Sequence, residues 1–167
     1  VFVRLTGCNL RCSYCDTQYA YSEGAEMSVA EVIEKVRGYG CGLVELTGGE
    51  PLLSPEVYDL MDGLLSLGYQ VLLETNGSLD LSRVDGRVIK IMDMKCPDSG
   101  ESDKNLLSNL EHLTERDQIK FVIGSYEDYL WARGVMVEQG LSGRRHLLMG
   151  AVFGRVPPKL LAEWILR

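Results

Sequence analysis

Val1-Phe2-Val3-Arg4-Leu5-Thr6-Gly7-Cys8-Asn9-Leu10-Arg11-Cys12-Ser13-Tyr14-Cys15-Asp16-Thr17 opens the chain. Residues 1–6 alternate in character and are rich in β-branched side chains, the pattern of a strand. Three cysteines follow with the spacing Cys8-x3-Cys12-x2-Cys15. A loop this short can present three thiolates to one face of an iron–sulfur cubane, and thiolates are the soft donors that such clusters use. Three protein ligands leave one iron without a thiolate, and an open metal position is what catalysis requires. The rival is a structural zinc ion, which needs a fourth ligand. Cys41, Cys96, His112 and His146 each stand alone and far along the chain. A pure electron-transfer ferredoxin would also need a fourth thiolate.

Outward from this loop, strands and helices take turns. Ser28-Val29-Ala30-Glu31 has capping-box spacing and predicts a helix to about Gly38. A strand over Leu43–Thr47 ends in Gly48-Gly49-Glu50-Pro51. Ser54 as N-cap, with Pro55 at the first helical position, predicts a helix to about Leu67. Strands are predicted over Tyr69–Thr75 and Val88–Lys95, a loop over Asp98–Asp103, and a helix from Lys104 to about Glu115. Then come a strand over Gln118–Ile123, a helix from Ser125 to Gln139, a strand over His146–Phe153, and a helix opened by Pro157-Pro158. Strand followed by helix about six times implies an α/β fold with a parallel sheet and right-handed crossovers. Six units fall two short of a closed eight-unit barrel, so periodicity alone leaves a partial barrel and a doubly wound sheet both open. No linker or low-complexity tract divides the 167 residues, and one domain over 1–167 is expected.

Composition narrows the function classes. Hydrophobic residues are 46% and charged residues 25%, which excludes a wholly disordered or collagen-like chain. No apolar run approaches the roughly 20 residues of a membrane span. Lys plus Arg number 17 against 24 Asp plus Glu, a net charge of −7, so a broad basic face for nucleic acid is not expected. Five cysteines, three of them within eight residues, favour a metal site in a reducing compartment such as the cytoplasm over secreted disulfides. No signal peptide is expected, since no charged segment with an apolar stretch precedes the first strand in this sequence. The chain opens inside a strand and closes inside a helix, so a longer protein around it is expected.

Two glycines at a strand end let backbone approach a ligand with no Cβ in the way. Glu50 can accept from an ammonium, and Pro51 stiffens the exit. The cysteine loop after the first strand, with Gly48-Gly49-Glu50-Pro51 after the second, resembles the radical S-adenosylmethionine (SAM) superfamily. Within it, Phe2 to Thr17, Leu46 to Pro51, Glu74-Thr75-Asn76-Gly77, Asp93-Met94-Lys95-Cys96-Pro97, Ile119-Lys120-Phe121-Val122 and Leu161 to Leu166 resemble the 7-carboxy-7-deazaguanine synthase family. The matches are collinear over nearly the whole chain.

The resemblance implies a partial (β/α)6 barrel of the radical SAM type. It implies a 4Fe–4S cluster on Cys8, Cys12 and Cys15, SAM chelated at the open iron, and Mg²⁺. The implied lyase reaction contracts 6-carboxy-5,6,7,8-tetrahydropterin to 7-carboxy-7-deazaguanine with loss of ammonia, in queuosine-type 7-deazapurine synthesis. SAM is expected along Tyr14, Cys15 and Asp16, along Gly48, Gly49 and Glu50, and along Asp93, Met94 and Lys95. Thr17 is the implied Mg²⁺ ligand; one hydroxyl suffices where substrate oxygens complete the shell. Arg4 is a charge in mid-strand, where parallel strands are normally covered on both faces. Its guanidinium fork suits a carboxylate, and the resemblance assigns it the substrate carboxylate. Thr47 is the matching position for a substrate hydrogen bond. Glu74 and Lys120 are expected inward more weakly. Cys41, expected to be a partly buried thiol, and Cys96 are not expected to be ligands. No side chain beyond the cofactor ligands is assigned a catalytic role.

Implied partners are the pterin substrate, a flavodoxin or ferredoxin as reductant, and a second copy in a homodimer; neither nucleic acid nor membrane is implied. A glycyl-radical activating enzyme shares the loop and the barrel, but Arg4 and Asp16-Thr17 argue against it. The alternative from another class is a zinc-stabilised binding module. The family also carries an upstream Gln-Gly-Glu motif and a downstream Arg-x-Gln-x-Gln-x-His-Lys segment. Neither is in this sequence, so some substrate and dimer contacts are expected from outside it.

Overall fold

Each of the six expected strands forms. The computed structural model describes residues 1–141, 143 and 146–167. Its strands are β1 (Phe2–Leu5), β2 (Leu43–Gly48), β3 (Gln70–Thr75), β4 (Ile89–Met94), β5 (Gln118–Ile123) and β6 (Leu147–Ala151). The α-helices are α1 (Val29–Gly38), α2 (Glu56–Ser66), α3 (Tyr126–Glu138) and α4 (Pro158–Ile165). All neighbouring strands are parallel, in the order β1-β2-β3-β4-β5-β6. That order decides between the two architectures. Strand order never reverses, so the switch point of a doubly wound sheet is absent. Among the described residues β1 pairs only with β2 and β6 only with β5, which leaves an open, singly wound partial barrel. No helix among the described residues is long and apolar enough to cross a membrane.

Side chains along a strand point alternately to its two faces. In β3, β4 and β5, Val71, Leu73, Met92, Met94, Ile119, Phe121 and Ile123 are buried in the core with α2 residues Val57, Leu60, Met61 and Leu64. The intervening positions, among them Glu74, Asp93 and Lys120, line the opposite, concave face. Register puts Arg4 beside Thr47 and Asp93 beside Lys120.

One charged pair lies on the buried parity. Lys90 Nζ is 3.1 Å from Asp117 Oδ2, with the side chains 2% and 1% exposed. Asp117 also accepts from Lys90 N (2.6 Å), Thr114 N (2.7 Å) and Thr114 Oγ1 (3.0 Å). A buried ion pair persists only when its remaining hydrogen-bonding capacity is used, as it is here.

Local signals explain most boundaries. Ser28 and Glu31 form both halves of the capping box on α1, and Ser125 caps α3 by accepting from Asp128 N. At α2 the expectation fails: Pro55 occupies the N-cap position, and Ser54 Oγ instead donates to the Glu56 carboxylate at 2.8 Å. The helix predicted from Lys104 to Glu115 is also absent; short 3-10 turns at Ser102–Lys104 and Leu107–His112 take its place. Asparagine side chains explain this, because they compete for backbone groups that a helix would use. Asn105 bonds both N–H and C=O of Lys95 at 2.8 Å. Asn109 donates to Gly77 O and Leu79 O and accepts from Leu81 N. The loop predicted over Asp98–Asp103 likewise includes part of a 3-10 turn, Pro97–Ser99. Cys41 is exposed rather than partly buried, and Cys96 is buried.

Candidate active site

A cavity of about 660 Å³ opens at the carboxyl ends of the strands, where barrel active sites gather. A larger groove of about 890 Å³ runs along β1 and α1, but no cysteine is among its described lining residues. The chemistry therefore sits in the smaller cavity.

The loop after β1 is held at several points. Glu50 N donates to Gly7 O at 2.7 Å, and Ser13 N to Ser99 O at 2.9 Å. Arg11 Nη1 reaches the carbonyls of Cys8 and Leu10 at 2.7 Å, and its guanidinium lies 4.2 Å from the Tyr21 ring centre. Gly49 is needed for this packing. A Cβ there would stand 2.1 Å from Gly7 O and 2.8 Å from Cys8 Cβ, so only glycine lets the turn after β2 lie against the cysteine loop.

Cys8, Cys12 and Cys15 all line the cavity and are free thiols. Burial pushes the Cys12 thiol up, against the pull of Lys95. Burial acts the same way on Cys15, but hydrogen bonds from Tyr21 and Thr17 outweigh it and hold that thiol below its ordinary value. Burial, with the bond to Cys15 added, pushes Tyr21 up to about 12. Thr17 Oγ1 lies 3.7 Å from Cys15 Sγ.

The opposite wall is a charged ladder on the concave parity. Lys120 Nζ is 2.6 Å from Glu74 Oε1 and 3.8 Å from Asp93 Oδ1. Lys95 Nζ is 2.9 Å from Asp93 Oδ2. Thr47 Oγ1 donates to Glu74 Oε2 at 3.2 Å, and Arg4 Nη1 to Gly48 O at 3.3 Å. Burial works against the charge of Lys95, yet Asp93 raises its pKa above the ordinary lysine value. Burial likewise opposes ionised Glu74, and Lys120 overcomes it, leaving the Glu74 carboxyl below its usual range. Glu45 sits beside this pair, and burial followed by the Glu74 charge raises its carboxyl.

These residues suit the implied cofactors. Three thiols share one cavity, and a backbone made bare by Gly49 faces them. Asp93 Oδ1 is buried with no hydrogen-bond partner among the described residues, which suits a ligand bearing N–H donors or positive charge. No group of three or more His, Cys, Asp or Glu among the described residues is gathered as for a single ion. The thiols instead border a space shared with the rest of the cavity.

Arg4, Cys8, Cys12, Tyr14, Cys15, Asp16, Thr17, Thr47, Gly48, Gly49, Asp93 and Lys95 all line this cavity, as do Glu74 and Lys120. Glu50 and Met94 do not. Met94 has the buried parity of β4 and packs in the core. The Glu50 carboxylate is fully buried and accepts from Leu52 N (3.1 Å), Asn76 N (2.6 Å) and Thr75 Oγ1 (2.9 and 3.0 Å). It fastens the turn after β2 to the end of β3 instead of facing an ammonium. Sequence reading missed Tyr21, Asn76, Phe153 and Arg155 as lining residues. Only the Glu74-Thr75-Asn76-Gly77 motif carried a signal for one of them.

The radical SAM superfamily model matches residues 2–150, and the chain belongs to that superfamily. Solved structures agree on the fold. QueE from Escherichia coli superposes with a TM-score of 0.78 at 20% identity, covering 99% of this chain and 80% of its own. SuiB of Streptococcus suis, bound to S-adenosylmethionine, gives 0.68 at 13% identity, over 99% and 46%. Sequence relatives are more specific. The 7-carboxy-7-deazaguanine synthase of Chlorobaculum tepidum is 43% identical over 99% of this chain and 77% of its own length. That of Koribacter versatilis is 41% identical over 99% and 80%. Within the superfamily, the chain is a member of the 7-carboxy-7-deazaguanine synthase family.

Proposed function

We propose that the chain converts 6-carboxy-5,6,7,8-tetrahydropterin to 7-carboxy-7-deazaguanine, with loss of ammonia, in 7-deazapurine synthesis. One observation carries the reading: a single cavity unites three thiols, the glycine turn after β2 and the charged ladder at the strand ends. Cys8, Cys12 and Cys15 hold the 4Fe–4S cluster. Gly48, Gly49, Tyr14, Asp16, Asp93 and Lys95 hold SAM. When bound, the cluster and SAM would together supply radical chemistry.

Arg4 receives the substrate carboxylate with its fork of N–H donors. Thr47 hydrogen-bonds the pterin, and Thr17 offers its hydroxyl oxygen to Mg²⁺, which favours oxygen ligands and substrate oxygens together. Tyr14 and Tyr21 line the cavity beside the thiols and limit water there. A flavodoxin or ferredoxin supplies the electron, the full protein is a homodimer, and the compartment is the cytoplasm.

The test is anaerobic reconstitution with iron and sulfide, followed by turnover of the carboxypterin with SAM, Mg²⁺ and dithionite. A brown protein forming the deazaguanine without any partner protein is the expected result. Thr17→Ala is expected to lose Mg²⁺ stimulation. A colourless protein holding one zinc, or a loaded protein inert toward the pterin, would overturn the reading.

A further inference from the structure

We infer that Asn76 donates an N–H···S hydrogen bond to the Cys8 thiolate and so tunes how readily the cluster held there accepts an electron. The inference rests on the reading of Cys8, Cys12 and Cys15 as cluster ligands. Asn76 follows β3 and is 5% exposed. Its amide oxygen accepts from Ser78 N at 2.9 Å and Ser78 Oγ at 2.6 Å. An oxygen engaged that way fixes the amide orientation, since the nitrogen has no lone pair to offer those donors. Nδ2 then points to the other side, 3.0 Å from Asn9 Oδ1 and 3.8 Å from Cys8 Sγ. Leu10 N adds a second donor to the same sulfur at 3.4 Å.

The support behind Asn76 is rigid. Its backbone N–H is bound by the buried Glu50 carboxylate at 2.6 Å. That gives the glutamate of the turn after β2 a purpose: it places the amide that faces the thiolate. Hydrogen bonds to ligating sulfur stabilise the more negative, reduced cluster and raise its potential. One electron enters the cluster, supplied in the test by dithionite, and no bond is made or broken at Asn76.

The test is a potentiometric titration of the reconstituted chain, followed by electron paramagnetic resonance. Asn76→Leu keeps the side-chain volume and removes the donor without adding a charge; Asn76→Ala removes the whole amide. Each is expected to shift the potential negative at unchanged iron and sulfide content. At fixed ambient potential, the reduced-to-oxidised ratio should fall about threefold to tenfold, tenfold corresponding to about 59 mV for one electron. Asn9→Ala removes the neighbouring amide contact but leaves the N–H···S bond, and is expected to keep the potential.

An unmoved potential in either fully loaded Asn76 variant overturns the inference. So does an equal shift in Asn9→Ala, which would make Asn76 a loop-holding residue. If Asn76→Ala fails to load, Asn76→Leu decides. Failure of both to load with the fold intact by circular dichroism also overturns it, since assembly and not tuning would then be the role. An unsubstituted chain that takes up no cluster refutes the synthase reading instead.

Discussion

Replacing Gly49 with alanine should damage the site and the fold together. The new Cβ would lie 2.1 Å from Gly7 O, 2.6 Å from Gly7 C and 2.8 Å from Cys8 Cβ. Ordinary contact requires the cysteine loop to retreat by about 1 Å. The Glu50 N to Gly7 O bond, 2.7 Å long, would then stretch beyond hydrogen-bond range. Losing it costs about 1 kcal/mol, and overpacking adds about 1–3 kcal/mol. A destabilisation of about 2–4 kcal/mol lowers Tm by about 5–15 °C in a chain of this size. Thermal unfolding of the apo protein measures the first effect, and iron per chain after reconstitution measures the second. Gly86→Ala is the control, because a Cβ at Gly86 meets nothing within 4 Å. A Gly49→Ala protein matching the parent in both Tm and iron content would refute the argument that bare backbone seats the loop.

Two further outcomes follow from the charged residues. Lys90→Met leaves the Asp117 carboxylate buried without its ammonium and should cost about 3–5 kcal/mol, read as a lower urea midpoint at unchanged slope; a loss below about 1 kcal/mol would contradict it. Glu74 is held below its ordinary value because Lys120 overcomes burial, so its contribution is present above the ordinary glutamate range and fades as pH falls through the lowered value. Lys120→Met removes the strongest opposition to burial and raises Glu74, so the substitution should cost about 1–2 kcal/mol more at pH 7 than at pH 3; equal cost at both would show that the pair is not coupled.

Much of the fold was legible because its signals are local. The capping box at Ser28 and Glu31, the alternation in each strand and the cysteine spacing all act within a few residues. Periodicity could not choose between an open barrel and a doubly wound sheet, since strand order depends on contacts far apart in sequence; the family resemblance pointed to the partial barrel that is found. The segment from Lys104 to Glu115 misled for a related reason. Its leucines have helical spacing, but Asn105 and Asn109 spend their amides on Lys95, Gly77, Leu79 and Leu81.

In the cavity, Met94 departs from the expectation by a rule the sequence already contains: Asp93 and Lys95 share a face, so Met94 cannot. Glu50 was harder to read. A carboxylate in a glycine turn looks like a ligand-binding group until its oxygens are seen to be taken by Leu52, Thr75 and Asn76.

Alternation along the strands also governs how this enzyme can change over generations. Lys90 and Lys120 are the same residue on adjacent strands, yet one meets Asp117 in the interior and the other Glu74 in the cavity. Drift at Asp93, Lys95, Lys120 and Val122 alters what the cavity accepts. Drift at Lys90, Met92, Ile119 and Phe121 alters whether the chain folds. A descendant could acquire a new substrate by substitutions at every second residue of these strands, inheriting its helices and interior untouched.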